Sequence, residues 1–161
     1  MGVWGIMRKT QKGFSLIELL IVVAVILIIA AFAIPNFVRS KMAANQASAV
    51  GSLRTMNTAC LAYSTTYGQF PTNLTDLGPV VSGSAPGSTS ADLIDSVLAS
   101  GIKSGYIFSF AAGAANQSYS ITAKPISLGA TGQSMYFTDQ SGVIRADTSG
   151  SGASTASTPI G

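Results

Sequence analysis

The sequence predicts an α+β fold, in which one long N-terminal α-helix packs on a small antiparallel β-meander with a short extra helix. Three observations lead to this prediction. An apolar run from Phe14 to Ile34 is long enough to form one helix. An amphipathic pattern continues that helix to about Thr66. Four short runs with alternating apolar side chains then lie within residues 106–146, and such runs are typical of strands.

The apolar run over residues 14–34 has the length of a membrane span. Only Ser15 and Glu18 interrupt its apolar character. At ~1.5 Å per residue it covers roughly 30 Å, which is the hydrocarbon thickness of a bilayer. A carboxylate costs on the order of 2.5–3.5 kcal/mol at the middle of such a helix and less near its end. We therefore expect a transmembrane helix in which Glu18 has a partner.

The amphipathic continuation over residues 35–67 begins at a proline. Pro35 removes one helical hydrogen bond and clashes with the preceding turn, so a kink or a locally unwound stretch is expected there. The helix should end where Gly68 favours a C-cap and Pro71 cannot continue the ladder. Its apolar stripe, predicted to face the sheet, consists of Met42, Ala49, Leu53, Met56, Cys60, Tyr63 and Tyr67.

Residues 68–147 form the predicted globular head, and residues 148–161 form a tail that is rich in Ser, Thr, Gly and Ala. The tail has no periodicity and is expected to be flexible. In the head, Ser90 is predicted to cap a short helix over Ala91 to Ala99, which Gly101 ends. The predicted strands are Tyr106 to Ala111, Ser118 to Lys124, Ser134 to Thr138 and Val143 to Ala146.

Positive charge orients the predicted span. Three cations precede it and two follow it, so the positive-inside rule places the first 13 residues in the cytoplasm. Without the three leading cations, six basic and six acidic side chains remain. This balance gives no indication of nucleic-acid binding. The cations that flank the span are Arg8, Lys9, Lys12, Arg39 and Lys41.

Residue types that support catalysis are scarce. The chain has no histidine, which excludes Ser-His-Asp and Cys-His nucleophiles and imidazole metal sites. Its single cysteine, Cys60, cannot form an intrachain disulfide and lies in the apolar stripe. Asp92 and Asp95, three apart on the predicted short helix, fit a solvated face better than an acid–base pair. The sequence therefore predicts no enzyme activity and no cofactor.

The start of the apolar run carries a specific motif, Lys-Gly-Phe-Ser-Leu-Ile-Glu-Leu-Leu over residues 12–20. This segment resembles the class III signal of type IV prepilins and pseudopilins. The resemblance implies that a peptidase cuts between Gly13 and Phe14 and methylates Phe14. It also implies assembly roles for Glu18 and Pro35. Beyond Pro35 the resemblance is one of layout more than of residues. The chain also departs from many type IV pilins, because one cysteine cannot form their C-terminal disulfide.

A secretory signal and a plain signal anchor also contain apolar runs, but both fit this run less well. Ala30, Ala31 and Ala33 near its end would allow secretory cleavage, but the run is too long for a typical signal and continues into a helical pattern. A plain signal anchor accounts for the length and the charge, but it accounts for neither Gly13 nor Glu18.

The family resemblance implies a structural subunit that polymerises into a helical extracellular filament for adhesion, motility or DNA uptake. The alternatives are a pseudopilin of a type II protein secretion system and a membrane-anchored single-copy protein with a borrowed signal. The expected partners are other copies of the chain, prepilin peptidase, an inner-membrane assembly platform, and membrane lipid before assembly. The precursor would cross the bacterial inner membrane once, and the assembled chain would lie in an extracellular or periplasmic filament.

Two further roles follow from this interpretation. The Glu18 carboxylate would neutralise the Phe14 amine of a neighbouring subunit in the filament. Asp139 and Asp147 flank the last predicted hairpin, whose turn is formed by residues 139–142. They are weak candidates for holding a calcium ion, as in some major pseudopilins, and a turn residue with a strand-end cap is the simpler interpretation.

Overall fold

The computed structural model describes residues 13–160, so the predicted leader cations Arg8, Lys9 and Lys12 lie outside the described residues. One long α-helix, α1 (Leu16–Tyr67, 52 residues), comes first. A 3₁₀-helix (Leu74–Leu77), a short helix α2 (Ser96–Ala99) and an antiparallel sheet follow it. The chain divides into two compact units, one up to Phe37 and one from Val38 onward. This is the α+β fold that the sequence predicts.

In the first unit, helix α1 continues through Pro35 without an interruption in its helical assignment. The local unwinding that the proline suggested is therefore not present. A single proline removes one hydrogen bond, and the bonds on either side of it are sufficient to hold the helical backbone.

In the second unit, the face of α1 predicted to be apolar forms one wall of the core. Its buried residues follow the expected spacing, and Leu53, Met56 and Cys60 are completely inaccessible to solvent. They pack with large side chains of the sheet, among them Tyr106 and Ile121. Burial of apolar surface is worth about 25 cal/mol per Å², so this wall is the main attachment of the helix to the sheet.

The sheet is an antiparallel meander with strands in sequence order. Neighbouring strands are joined by short connections, and the register brings Phe108 opposite Ala123 and Ile121 opposite Thr138. The four predicted runs correspond to the four inner strands, within two residues at each end. The strands are β1 (Ile102–Lys103), β2 (Tyr106–Ala112), β3 (Tyr119–Pro125), β4 (Met135–Asp139), β5 (Arg145–Asp147) and β6 (Thr158–Pro159).

The short helix differs from its prediction, because it covers Ser96–Ala99 and its N-cap is Asp95 instead of Ser90. The preceding residues 91–94 form no helix, because their backbone N–H groups donate to carbonyls of residues 76–78 at 2.8–3.0 Å. Asp92 lies within that stretch with a positive φ of 56°, which no α-helix accommodates. Long-range backbone pairing therefore overrides the local helical pattern.

The end of the chain also differs from the flexible tail that its composition suggested. Thr158–Pro159 pair with β5 and form the last strand of the sheet. The Ile160 N–H donates to the Ile144 carbonyl at 2.8 Å, and Ile160 packs against the core. A backbone ladder needs no particular side-chain periodicity, which is why a Ser- and Thr-rich segment can supply an edge strand.

Candidate processing and assembly site

The predicted cleavage point lies at the N-terminal start of helix α1. Gly13 and Phe14 precede the helix, and the Phe14 ring is 80% exposed. A Cβ atom added at Gly13 would meet no atom of the described residues within 4 Å. Packing against residues 13–160 therefore does not require glycine here, which leaves recognition by another molecule as a reason for it.

Glu18 has a hydrogen-bond partner within its own chain. The Ser15 backbone N–H donates to Glu18 Oε2 at 2.9 Å, and the Ser15 carbonyl accepts from the Leu19 N–H at 3.2 Å. Because α1 begins at Leu16, Glu18 occupies the third helical position and forms the acidic half of a capping box. The sequence led us to expect a partner for this carboxylate but not this N–H group. The signal that could have identified it is the Ser-x-x-Glu spacing from Ser15 to Glu18, which is typical of a capping box.

The helix beyond Glu18 presents an apolar surface on every side. Large side chains from Leu16 to Phe37 are between 47% and 80% exposed. Within residues 13–160, α1 is the one helix long and apolar enough to cross a membrane. A shallow groove follows one face of it, lined by Leu16, Leu19, Leu20, Val23, Ala24 and Leu27. Such a surface requires lipid or other apolar helices around it.

The exposed face of α1 in the second unit carries small residues. Ala43, Ala44, Ala47 and Gly51 are solvent-exposed, and a Cβ atom added at Gly51 would meet no atom within 4 Å. Ser48, which follows Ala47, is half-buried, and its hydroxyl donates to Ser104 Oγ at 2.9 Å. The small residues therefore permit close approach by another helix.

The opposite face of α1 holds the sheet through a polar bridge centred on Asn57, which the helical pattern marks only as one polar residue among several. Asn57 Nδ2 donates to Thr138 Oγ1 at 2.8 Å, and the Tyr119 hydroxyl donates to Asn57 Oδ1 at 3.1 Å. Thr138 is fully buried. Burial also raises the pKa of the Tyr119 phenol, so this hydroxyl stays protonated and remains a donor.

The two calcium candidates lie apart. Asp139 starts the β4–β5 turn, where its Oδ1 accepts from the backbone N–H and the hydroxyl of Ser141. Asp147 pairs with Met135 at the other end of β4. Its carboxylate accepts from the hydroxyl and N–H of Ser149 and from the Gly152 N–H, at 2.7–3.0 Å. These bonds lower the pKa of Asp147. No group of three or more His, Cys, Asp or Glu residues that could hold a metal occurs within residues 13–160.

The remaining chemically active side chains do not converge. The Asp95 carboxylate accepts from the Leu98 N–H at 2.6 Å and lies 3.5 Å from Lys103 Nζ, while Asp92 lies three residues earlier, in a bend outside the helix. The hydrogen bond from the Leu98 N–H is the main cause that lowers the pKa of Asp95. Burial raises the pKa of the Cys60 thiol to about 12, so it remains protonated near neutral pH.

Comparison with known proteins agrees with this arrangement. Residues 8–34 match the prokaryotic N-terminal methylation motif. The chain is 47% identical over 58 residues to the type IV major fimbrial protein FimA of Dichelobacter nodosus, covering 34% of this chain and 37% of that protein. It is 49% identical over 49 residues to the type IV major pilin protein PilA of Myxococcus xanthus (strain DK1622), covering 30% and 22%.

A secretion protein matches as well. The type II secretion system core protein G of Dickeya chrysanthemi is 27% identical over 75 residues, which cover 47% of this chain and 49% of that protein. The chain therefore spans less than half the length of each of these relatives. The methylation motif, these similarities and the long helix followed by an antiparallel sheet together identify a pilin-like structural subunit. Over its N-terminal part the chain is thus similar to type IV pilins, and it carries the prokaryotic N-terminal methylation motif.

Proposed function

We propose that this protein is the precursor of a filament subunit, which is cut between Gly13 and Phe14, methylated at Phe14, and polymerised into a surface pilus. The observation that carries the proposal is an apolar helix surface that begins directly after an exposed Gly-Phe pair. Cleavage there keeps the whole helix on the product. The same surface can then contact lipid before assembly and other helices afterwards.

Processing changes the electrostatics of the helix start. In the precursor, the N–H of Phe14 belongs to a peptide bond, and Glu18 caps the Ser15 N–H. Cutting before Phe14 creates a positively charged amine four residues from the Glu18 carboxylate. In the filament, Glu18 of one subunit pairs with the Phe14 amine of its neighbour.

The ion pair between Glu18 and the Phe14 amine determines the docking position of each subunit more than it stabilises the filament. An ion pair is stronger in a low-dielectric bundle than at a surface, but desolvation of each ion offsets much of the gain. A subunit docked one step away leaves a buried charge unpaired, which costs on the order of 3–5 kcal/mol. The pair therefore selects one docking position for each incoming helix.

The second half of α1 continues the contact between helices. Its exposed small residues allow backbones to approach closely, as between helices in membranes. Pro35 leaves the Ala31 carbonyl without its helical donor, and this is the point at which the helix bends most readily as it passes its neighbours.

A pseudopilin of a type II secretion system is the second candidate function. The similarity to core protein G extends over 47% of this chain. The single cysteine, which excludes an intrachain disulfide, also favours it. In both cases the precursor crosses the inner membrane once, with prepilin peptidase, an assembly platform and other copies of the chain as partners. A single-copy anchored protein is the third candidate.

The test is a shear preparation of cells followed by intact-mass analysis of the released protein. We expect filaments of chains that begin with methylated Phe14. Processed chains found only in the inner membrane would support the secretion pseudopilin instead. Chains that still carry Met1 to Gly13 would refute processing at this motif. Cellular abundance separates a filament subunit, which must be plentiful, from a single-copy anchored protein.

A further inference from the structure

Helix α1 carries three exposed cations, Arg39, Lys41 and Arg54, and only Arg54 lies within the part of the helix that packs on the sheet. Between Met42 and Tyr67 the only charged residue is Arg54, and it is solvent-exposed. Exposed Ala47 and Gly51 precede it, and exposed Thr58 and Leu61 follow it at helical spacing. Within residues 13–160 the guanidinium makes no hydrogen bond or ion pair. A cation thus lies among small and apolar residues without an anion of its own chain.

Under the proposed function, this face contacts other helices, and the cation then loses its water. A buried guanidinium without a counter-ion is far more costly than an exposed one. No acidic residue occurs between Glu18 and Asp76, so the helix near Arg54 cannot supply a carboxylate. The anion must come from the head of another copy or from a different molecule.

Among the described residues of the head, one acidic side chain has no partner and is available to bind the Arg54 guanidinium of another copy. Four of its acidic side chains already accept hydrogen bonds within the head. Asp92 makes no side-chain hydrogen bond or ion pair within residues 13–160, and it is exposed. The four that are engaged are Asp76, Asp95, Asp139 and Asp147.

The backbone holds Asp92 in a fixed position. Its φ of 56° lies in the left-handed region, and its N–H donates to the Gly78 carbonyl at 2.9 Å. Neighbouring N–H groups of Ala91 and Leu93 are bonded to the same segment at 2.8 and 2.9 Å. An uncommon conformation held by surrounding bonds is a feature of functional positions. The exposed Leu93 adds apolar surface beside the carboxylate.

We propose that Arg54 of one copy pairs with Asp92 of a neighbouring copy, so that the head of each subunit docks on the helix of the next. The inference rests on the proposed function, because it requires a polymer. Charge complementarity favours this occupant: among the described residues, Arg54 is the one unpaired cation on the part of α1 that packs on the sheet, and Asp92 is the one acidic side chain of the head without a partner. The planar guanidinium can bind a carboxylate through two parallel hydrogen bonds, which fixes orientation as well as distance.

Charge exchange tests the pairing in cells that express the full chain. The variants Arg54→Asp and Asp92→Arg should each lower the yield of sheared filament by about tenfold, while the double variant should recover most of it. Asp92→Asn should also lower the yield, and it keeps a residue that tolerates positive φ. Lys124→Glu, which changes an exposed cation of β3, is the matched control and should keep the wild-type yield.

Folding is separated from assembly by melting the purified full chain in detergent. Arg54→Asp, Asp92→Asn and Lys124→Glu should melt with the wild type, because the side chains of Arg54 and Asp92 make no polar contact within their own described chain. If the wild type forms filaments but the double variant stays defective, the Arg54–Asp92 pairing is refuted, while the proposed filament function stands. If Arg54→Asp assembles poorly but Asp92→Asn assembles normally, the pairing is also refuted. The anion that binds Arg54 would then belong to lipid or to another protein. A processed wild-type chain that never polymerises would overturn both proposals.

Discussion

The Tyr119 hydroxyl donates to the Asn57 side-chain oxygen at 3.1 Å and thereby joins strand β3 to helix α1. The amide of Asn57 donates in turn to Thr138 on β4 at 2.8 Å. One helix residue therefore satisfies polar groups on two adjacent strands. In a core held mainly by apolar contacts, this bridge fixes the axial position of the helix against the sheet.

Replacing Asn57 should destabilise the folded protein. Asn57→Ala leaves the hydroxyls of Tyr119 and the fully buried Thr138 without their partner, at a cost of about 1–3 kcal/mol. The measurement is the unfolding free energy of the full chain in detergent. Thr58→Ala is the control, because Thr58 is exposed and its hydroxyl bonds only to the Arg54 carbonyl. Equal losses in the two variants would refute the role of the bridge.

Substitutions at Glu18 should separate helix capping from charge pairing. Glu18→Gln keeps an oxygen that can accept from the Ser15 N–H, whereas Glu18→Ala removes both the bond and the charge. We expect both variants to be cut and inserted normally and to assemble poorly, because both lack the charge. Filament yield relative to processed protein is the readout. If Glu18→Gln assembles like the wild type, capping is the essential role and the ion pair is not.

A bulky residue at Gly13 should block processing without affecting the fold. Gly13→Leu meets open space in the structure, so any effect must arise in the peptidase site. Uncut precursor should accumulate, and intact-mass analysis of membranes detects it as a chain that retains its leader. Gly87→Leu, at another glycine with open space around it, is the control and should be processed normally. Normal cleavage of Gly13→Leu would contradict recognition of this glycine.

The C-terminal segment should lose stability in acid through Asp147. Its hydrogen bonds lower the pKa of this carboxyl in the folded chain below its unfolded value. Its stabilising contribution is therefore complete above the unfolded pKa and is lost as the pH falls through the folded pKa. The difference in melting temperature between wild type and Asp147→Asn should shrink as the pH is lowered from 6 toward about 3. A difference that is constant with pH would refute this linkage. Asp95→Asn measures the separate contribution of the other carboxyl whose pKa is lowered.

The Cys60 thiol should be unreactive in the folded protein. It is fully buried in the core and its pKa is raised to about 12, so little thiolate exists at pH 8. Iodoacetamide labelling followed by mass spectrometry should show modification only after unfolding. The control is a double variant, Cys60→Ala with Thr58→Cys, whose single thiol lies on the exposed face of α1. Iodoacetamide should label this thiol in the folded state. Rapid labelling of native Cys60 would indicate local opening of the core.

The sequence by itself determined the long helix, its apolar first part, the buried stripe of its second part and the four inner strands. These features depend on periodic burial, which the spacing of apolar residues predicts. Apolar residues three and four positions apart predict one face of a helix, and alternating apolar and polar residues predict a strand. The motif at Gly13, Phe14 and Glu18 is equally local. Its positions follow from the chain alone, while their roles in processing and assembly stay predictions.

The tertiary structure decided what depends on distant partners. Residues 91–94 have a helical pattern but form no helix, because backbone carbonyls of residues 76–78 accept hydrogen bonds from their N–H groups. Thr158–Pro159 have no strand pattern but pair with β5. In the sequence, Asn57 is not distinguished from other polar helix residues, and its role appears only in the fold, where it accepts a hydrogen bond from Tyr119. Such contacts form between residues far apart in the chain, and no local periodicity encodes them. The free Arg54 and Asp92 likewise became apparent only once the partners of the other acidic side chains of the head were known.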